Sequence, residues 1–282
     1  MRRSGVVENV RGFGLHDHVC WRFDDRTQLR DRAAEFLADG LRLGQTVRYI
    51  GSGAVDRLRE ELAGTDVLRA ALRDGTAQVT SLDDAYPVGT VIDPAAQVRA
   101  YAAATEQAVA DGFTGLRVAA DCTALVGSPR ERAAFATYEH LVDRYIATHP
   151  FSAMCAYDGT LLPDDAIEQV ARMHPNTNAE HVRFRLHGTD RAGCAAGLSG
   201  ELDSASRDEF AWALDLADPR PVADELVVDA AGLTFIDHNS LLRLTDRARR
   251  HGATLVLRTG WPGAARLVRA LGLPDVRVEK TP

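Results

Sequence analysis

The 282-residue sequence has almost no lysine: Lys280 is its single lysine. A phosphate-loop lysine, a Schiff-base lysine and a Ser–Lys catalytic pair are therefore excluded from any core site. No apolar run reaches the length of about 18 residues that a membrane span needs. The first residues carry two arginines without an apolar stretch after them, so we expect no secretory signal. We predict a cytoplasmic chain with no membrane partner.

Cysteine is also scarce, and positive charge is not in excess. The four cysteines, Cys20, Cys122, Cys155 and Cys194, form no Cys-x-x-Cys pair, which argues against structural zinc. Lys plus Arg number 33 against 40 Asp plus Glu, a net charge of −7, so binding of nucleic acid is not expected. Gly-x-Ser-x-Gly and His-Glu-x-x-His patterns are absent from the sequence. We therefore expect no enzyme, no cofactor and no metal.

Strand and helix patterns alternate along the chain, which is long enough for two domains. The alternation predicts an α/β fold with a mainly parallel sheet covered by helices on both faces. The predicted helices cover residues 25–43, 55–72 with a break at Gly64, 94–110, 129–147, 164–173, 204–216, 240–250 and 262–271. The predicted strands cover residues 19–23, 46–50, 78–82, 115–120, 151–157, 182–186, 195–198, 225–229 and 254–257. Residues 174–178 contain Pro and Asn and are interpreted as a linker, so the predicted domains are residues 1–176 and 179–282.

Short motifs in the first domain carry a family resemblance. Residues 16–23 read His-Asp-His-Val-Cys-Trp-Arg-Phe, residues 36–41 read Phe-Leu-Ala-Asp-Gly-Leu, and residues 155–158 read Cys-Ala-Tyr-Asp. With these motifs, residues 8–172 resemble the MEDS sensory domain. The resemblance implies a sensor with a RecA-like parallel sheet that has lost its phosphate loop. The sequence agrees, because no Gly-x-x-x-x-Gly-Lys follows the first strand.

Four residues of this domain are candidate ligand-binding residues. His18 and Cys20 point to the same face of a strand because successive side chains alternate. With His16, they could ligate a soft metal or a haem or contact a small molecule; the alternative is plain packing of Cys20. Asp121 ends an apolar strand where RecA-type folds hold a magnesium-binding carboxylate. Without a phosphate loop, Asp121 is equally explained as a turn or cap residue.

The most informative C-terminal segment is residues 226–244. A buried strand is followed by a turn, a second apolar pair and Asp237, after which a helix begins. The sequence therefore predicts an exposed helix N-terminus, where free N–H groups and the helix dipole favour negative charge. Such an end suits a phosphate or a carboxylate of a partner.

This segment, with Gly-Glu-Leu-Asp at residues 200–203, resembles the STAS domain of bacterial anti-sigma factor antagonists. The resemblance covers residues 180–282 and implies a STAS-type α/β domain whose partner is an anti-sigma factor or another kinase-fold protein. The partner-binding residues that it implies are Asp203, Ser204, Asp237, His238, Asn239 and Ser240.

The chain departs from the STAS pattern at the phosphorylated position. The helix of the family usually begins with Ser-Ser-Gly, and a kinase phosphorylates the second serine. Asn239 stands at that place and cannot carry a phosphoester, so we expect the usual release by added negative charge to be missing. Two alternatives stay open: Asp237 or Asn239 caps the helix, or a kinase modifies the neighbouring Ser240.

These observations favour a non-enzymatic signalling protein in which a MEDS domain regulates a STAS domain that binds an anti-sigma kinase-type partner. The alternative is a small-molecule, haem or redox sensor in which the STAS part serves as a dimerisation or scaffold module. A nucleotide-hydrolysing enzyme that uses Asp121 is a third, weaker hypothesis.

Overall fold

The computed structural model describes Arg2, residues 4–86 and residues 91–281, which form two β-sheets with helices around them. The helices are α1 (Arg26–Arg42), α2 (Val55–Leu62), α3 (Asp66–Asp74), α4 (Leu82–Ala85), α5 (Pro94–Ala110), α6 (Pro129–Ile146), α7 (Asp164–Ala171), α8 (Arg207–Ala217), α9 (His238–Arg250) and α10 (Gly263–Leu271). The strands are β1 (Gly5–Val6), β2 (His18–Phe23), β3 (Thr46–Gly51), β4 (Ala77–Ser81), β5 (Leu116–Asp121), β6 (Phe151–Asp158), β7 (Asn176–Thr177), β8 (Phe184–His187), β9 (Ala196–Leu202), β10 (Glu225–Asp229), β11 (Leu233–Ile236), β12 (Thr254–Arg258) and β13 (Val276–Glu279). None of these described helices combines the length and the apolar character needed to cross a membrane.

Seven of the described strands form the first sheet, in the order β1-β7-β2-β6-β5-β3-β4. All neighbouring strands run parallel, as the alternation of strands and helices predicted. Val19 and Trp21 of β2 pack on one face with Phe36 of α1. Cys20 packs on the opposite face with Phe135 of α6. The two faces of β2 therefore serve two separate apolar cores.

The connection after β2 leaves no room for a phosphate-binding loop. β2 ends at Phe23 and α1 begins at Arg26, so two residues, Asp24 and Asp25, join them. Asp25 caps the helix by accepting a hydrogen bond from the backbone N–H of Thr27. Both connecting side chains are acidic, and acidic side chains would repel a phosphate group.

Residues 174–178, predicted as a linker, instead contain the strand β7 of the first sheet. His174, Asn176 and Thr177 are buried, and β7 pairs with β1 on one side and with β2 on the other. The linker interpretation was therefore wrong. Two-residue strands such as β1 and β7 give no periodic pattern, and their formation depends on neighbours that lie far away along the chain.

The second sheet is mixed. β8 runs antiparallel to β9, whereas β9, β10, β11, β12 and β13 pair in parallel. Phe184, Phe210, Leu241 and Leu255 form part of its buried core. Strands β11 and β13, each four residues long, were not predicted.

Helix α6 packs against both sheets. It contacts α5 and α7 of the first part, and α8 and β8 of the second. Phe135 belongs to the core of the first sheet, whereas its neighbour Ala136 belongs to the core of the second. At the same junction the guanidinium of Arg172 lies 5.5 Å from the ring centroid of Phe184. The two parts are thus joined by packing as well as by the chain.

Candidate functional site

A buried group of four potential ligands lies between the first sheet and α6. We call it the buried cluster; its members are His18, Glu139, Cys155 and His174. One ligand atom from each residue lies within 4.8 Å of the other three. Protein interiors rarely contain so many ionisable groups unless they are paired or bind a metal ion.

Four different elements bring these residues together. His18 begins β2, and Cys155 lies in the middle of the adjacent strand β6. Glu139 projects from α6, and His174 lies between α7 and β7. Because β2 and β6 are neighbours in the sheet, the side chains of His18 and Cys155 emerge on the same face, and α6 covers that face.

The distances within the buried cluster are short. The Nε2 atom of His18 lies 3.3 Å from Glu139 Oε2 and 3.5 Å from Cys155 Sγ. The Sγ atom lies 3.6 Å from the same carboxylate oxygen. His174 Nε2 lies 3.5 Å from that oxygen. A single carboxylate oxygen therefore faces two ring nitrogens and one sulfur.

Each of three cluster residues is also held by a group outside the cluster. His18 Nδ1 lies 3.0 Å from Asp143 Oδ1. His174 Nδ1 lies 3.0 Å from the backbone oxygen of Val170, and the hydroxyl of Tyr157 donates to Glu139 Oε1 at 2.7 Å. These contacts fix the side chains so that Nε2 of both histidines and Oε2 of Glu139 point into the cluster. Hydrogen bonds of this kind orient the ligands of metal sites in proteins.

The protonation states reflect burial and close partners. Burial alone would lower the pKa of His18, but hydrogen bonds to Asp143, Cys155 and Glu139 outweigh it and raise that pKa well above the usual value. Burial and the charge of His18 lower the pKa of His174 to about 4. The contact with Cys122, together with burial, raises the pKa of the Cys155 thiol. Without a bound ion, a proton is therefore held more strongly by His18 than by His174.

Asp143 connects the buried cluster to the second part of the chain. Its carboxylate accepts the backbone N–H of Gly188 at 2.6 Å and forms an ion pair with the guanidinium of Arg2. Burial alone would raise the pKa of Asp143, but Arg2 and His18 lower it well below its usual range. One fully buried carboxylate thus binds the N-terminal segment, the first sheet and the segment after β8.

The residues predicted as ligands in the first domain lie in three places. Cys20 shares a face with His18, as predicted, and pairs across the strands with Cys155, but its sulfur is not one of the four ligand atoms. His16 lies outside the cluster, with Nδ1 2.7 Å from the backbone oxygen of His149. Asp121 is buried at the end of β5, where it accepts a hydrogen bond from Arg26 at 2.5 Å.

Sequence reasoning missed the contributions of Glu139, Cys155 and His174. Their spacing matches no short metal motif. His174 was assigned to a linker. The usable signal was the Glu139-His140 pair, which stands between the apolar residues Tyr138 and Val142 of α6.

The second region of interest is the beginning of α9. Asp237 caps this helix by accepting the N–H of Ser240 at 2.7 Å, as one of the alternatives predicted. The backbone N–H of Asp237 donates to Leu202 at 2.8 Å, so Asp203 lies beside Asp237. The structure therefore brings the two predicted partner-binding segments together at one edge of the second sheet. His238 is exposed and Asn239 is half-buried on this edge.

Asp203 and Ser204 begin a short 3-10 helix at the same edge. The carboxylate of Asp203 accepts the N–H groups of Ala205 and Ser206 and pairs with Arg183 at 3.0 Å. Ser204 is exposed. Capping accounts for one oxygen of Asp203, and Ser204 remains accessible to a partner.

An apolar groove of about 450 Å³ adjoins the beginning of α9. Phe235 is 40% exposed, and its ring packs edge-on against Trp261 with centroids 5.7 Å apart. Arg266 and Leu267 line the same groove. An exposed phenylalanine next to a half-buried tryptophan is the kind of apolar surface that protein interfaces use.

Ser240, predicted as a partner-binding residue, is instead completely buried. It sits under the first turn of α9, and its hydroxyl has no hydrogen-bond partner among the described residues. A partner or a kinase therefore cannot reach this side chain while the helix is folded. The expectation that Ser240 belongs to the docking surface is corrected on this ground.

Replacing Ser240 by alanine is expected to change the free energy of unfolding by less than about 1 kcal/mol, or to raise it, because the lost hydroxyl is buried without a described partner. Ser206→Ala is the matched control. Its hydroxyl accepts the N–H of Asp203 at 2.9 Å, so its loss should cost about 1 kcal/mol. Urea unfolding measures both; an equal loss in the two variants would contradict the assignment.

The fold and the buried cluster define an α/β domain with a parallel sheet, no phosphate loop in its described residues and an ionisable centre in its interior. The family model described as MEDS, "MEthanogen/methylotroph, DcmR Sensory domain", matches residues 17–175, and the chain belongs to this family. The match includes all four residues of the buried cluster. It confirms the predicted MEDS resemblance and indicates a sensory or signalling role. No curated protein matches the chain.

Proposed function

We propose that the chain is a non-enzymatic signalling protein in which the MEDS domain controls a STAS-type second part that binds an anti-sigma factor or another kinase-fold partner. The observation that carries the proposal is the carboxylate of Asp143. It bonds His18 of the MEDS domain and the backbone of Gly188 at the same time. A change at the buried cluster that moves His18 would therefore also alter a contact with the second part.

The proposed docking surface is the edge formed by Asp203, Ser204, Asp237, His238 and Asn239, with the adjoining groove. The helix N-terminus supplies backbone N–H groups and a positive dipole end. Phe235 and Trp261 supply apolar area beside it. A partner that places a carboxylate or other acceptor at the helix end and an apolar side chain in the groove fits both features.

Asn239 makes this surface differ from a phosphorylated switch. Its amide cannot be phosphorylated, and Ser240 is buried, so this helix end offers no accessible serine in its first three positions. Regulation would then come from the MEDS domain rather than from a kinase. This is the role that the contact through Asp143 supports.

The test is calorimetric titration of the purified full chain with purified anti-sigma factors of the kinase fold. We expect 1:1 binding that survives addition of ATP and magnesium. Asn239→Ser should restore a phosphoacceptor, so its binding should fall by at least about tenfold after incubation with ATP, as expected when negative charge is added at an interface. Asn239→Ala is the matched control and should keep its affinity.

Two results would contradict the proposal. The first is the absence of binding to every kinase-fold partner tested; the second is release of the wild-type protein on addition of ATP. The scaffold alternative predicts the first result together with a stable dimer in sedimentation analysis.

A further inference from the structure

We propose that the buried cluster is a four-ligand site for one divalent transition-metal ion of the zinc type. The inference does not depend on the second part of the chain or on its partner. It begins from the donor set, which consists of two imidazoles, one thiol and one carboxylate. These are the side chains from which four-coordinate zinc sites are built.

The geometry fits a tetrahedral ion. Zinc lies at about 2.0–2.3 Å from nitrogen, oxygen and sulfur ligands, so neighbouring ligand atoms of a tetrahedron are about 3.3–3.8 Å apart. Four of the six distances among the ligand atoms are 3.3, 3.5, 3.6 and 3.5 Å, and the other two are no longer than 4.8 Å. They join His18 Nε2, Glu139 Oε2, Cys155 Sγ and His174 Nε2.

The orientation of His174 points to a cation between the ligands. Its Nδ1 bonds a backbone oxygen, which can only accept, so Nδ1 carries the hydrogen and Nε2 is the ring nitrogen that points into the cluster. That Nε2 is fully buried and has no hydrogen-bond partner among the described residues. It faces the carboxylate oxygen Glu139 Oε2 at 3.5 Å. A metal ion bound between these two buried atoms would give each of them a partner.

The charges of the site also balance with a divalent ion. A thiolate at Cys155 and a carboxylate at Glu139 each contribute one negative charge, and the imidazoles are neutral when they coordinate. A divalent ion brings the sum to zero. The buried carboxylate that contacts the cluster from outside, Asp143, is already paired with Arg2. The buried group then carries no net charge. This is the arrangement expected in an interior, because burying an unpaired charge is costly.

Outer contacts complete the site. Asp143 holds His18, the backbone of Val170 holds His174, and Tyr157 holds Glu139. Because four protein ligands fill the coordination sphere and all are buried, the ion would have no open position for a substrate. The site therefore fits an ion that fixes the structure of the sensory domain rather than one that binds substrate. A haem does not fit this donor set, because its ring supplies four ligands of the iron and leaves positions for at most two protein ligands, whereas the cluster offers four.

The test uses the full chain. Elemental analysis of protein purified without added metal should find about one zinc per chain. After removal of the ion by a chelator, addition of Co²⁺ should give the visible bands of tetrahedral cobalt together with a thiolate-to-cobalt charge-transfer band.

Cys155→Ala should abolish the charge-transfer band and weaken Co²⁺ binding at least about tenfold, because it removes a ligand. Cys20→Ala is the matched control: Cys20 is an equally buried cysteine on the neighbouring strand but contributes no ligand atom. It should keep the band. Glu139→Gln should weaken Co²⁺ binding but keep the charge-transfer band. This variant replaces Cys155→Ala in the test if Cys155→Ala does not fold.

Wild-type protein that binds no stoichiometric ion, or a cobalt spectrum without a thiolate band, would overturn the proposal. A charge-transfer band that persists in Cys155→Ala would do the same. An intense thiolate-to-copper absorption in the protein as purified would overturn the assignment to a zinc-type ion.

Discussion

Replacing Asp143 by alanine is expected to lower the free energy of unfolding by about 3–5 kcal/mol, the range found when one partner of a buried ion pair is removed. The side chains of Arg2 and Asp143 are 5% and 0% exposed, so water cannot replace the lost carboxylate. The N–H of Gly188 would lose its acceptor as well, and His18 would lose the bond that orients its ring.

Urea unfolding followed by circular dichroism measures this loss. Asp246→Ala is the surface control, because its carboxylate lies 3.7 Å from Arg249 in an exposed pair; exposed pairs contribute about 0–1 kcal/mol. Asp143→Asn keeps an acceptor oxygen without the charge. Its loss of unfolding free energy should lie between the losses of Asp143→Ala and Asp246→Ala. If Asp143→Ala lowers the free energy of unfolding by no more than Asp246→Ala does, the carboxylate of Asp143 does not hold the two parts together.

Alanine at Gly188 is the second substitution with a large expected effect, a loss of about 3 kcal/mol. An added Cβ would lie 2.6 Å from the backbone nitrogen of Arg144 and 2.7 Å from the carbonyl of Asp143. These are backbone atoms of α6, which cannot move aside as the end of a long side chain can. The methyl group would therefore push the segment after β8 away from α6 and stretch the bond to Asp143.

Gly5→Ala is the matched control, because a Cβ at Gly5 meets nothing within 4 Å. It should change stability by less than about 0.5 kcal/mol. Hydrogen exchange of the two variants adds a second measurement: in Gly188→Ala, the amides of α6 and β8 should exchange faster than in the wild type. Equal stability of the two glycine variants would show that the contact between α6 and Gly188 is looser than the structure indicates.

Local signals were sufficient to predict many elements from the sequence. Helix α5 has the predicted bounds, residues 94–110, with Asp93 as its cap and Pro94 in its first turn. Helix α6 begins at Pro129 behind a Ser128–Glu131 capping box. In both helices the start is encoded by neighbours within four residues, which is the range over which sequence patterns are informative.

The buried cluster could not be predicted in this way. The sequence placed His18 with Cys20, two residues away, because alternation along one strand can be deduced locally. The sulfur that lies 3.5 Å from His18 Nε2 instead belongs to Cys155, on a strand that becomes a neighbour only through the order of the parallel sheet. The prediction missed His174 for a related reason. His174 lies just before β7, and β7 is held in the sheet by pairing with strands that are distant in the sequence.

The position of α6 has a consequence for anyone who wishes to produce the sensory domain alone. A fragment cut near residue 178 would keep Phe135 covered but would uncover Ala136, Met173 and the buried ring of His140, which all lie against the second part or beside it. Asp143 would lose one of its donors in the same cut. An excised fragment would therefore expose residues that are buried in the full chain, and the sensory domain is better studied in the uncut polypeptide.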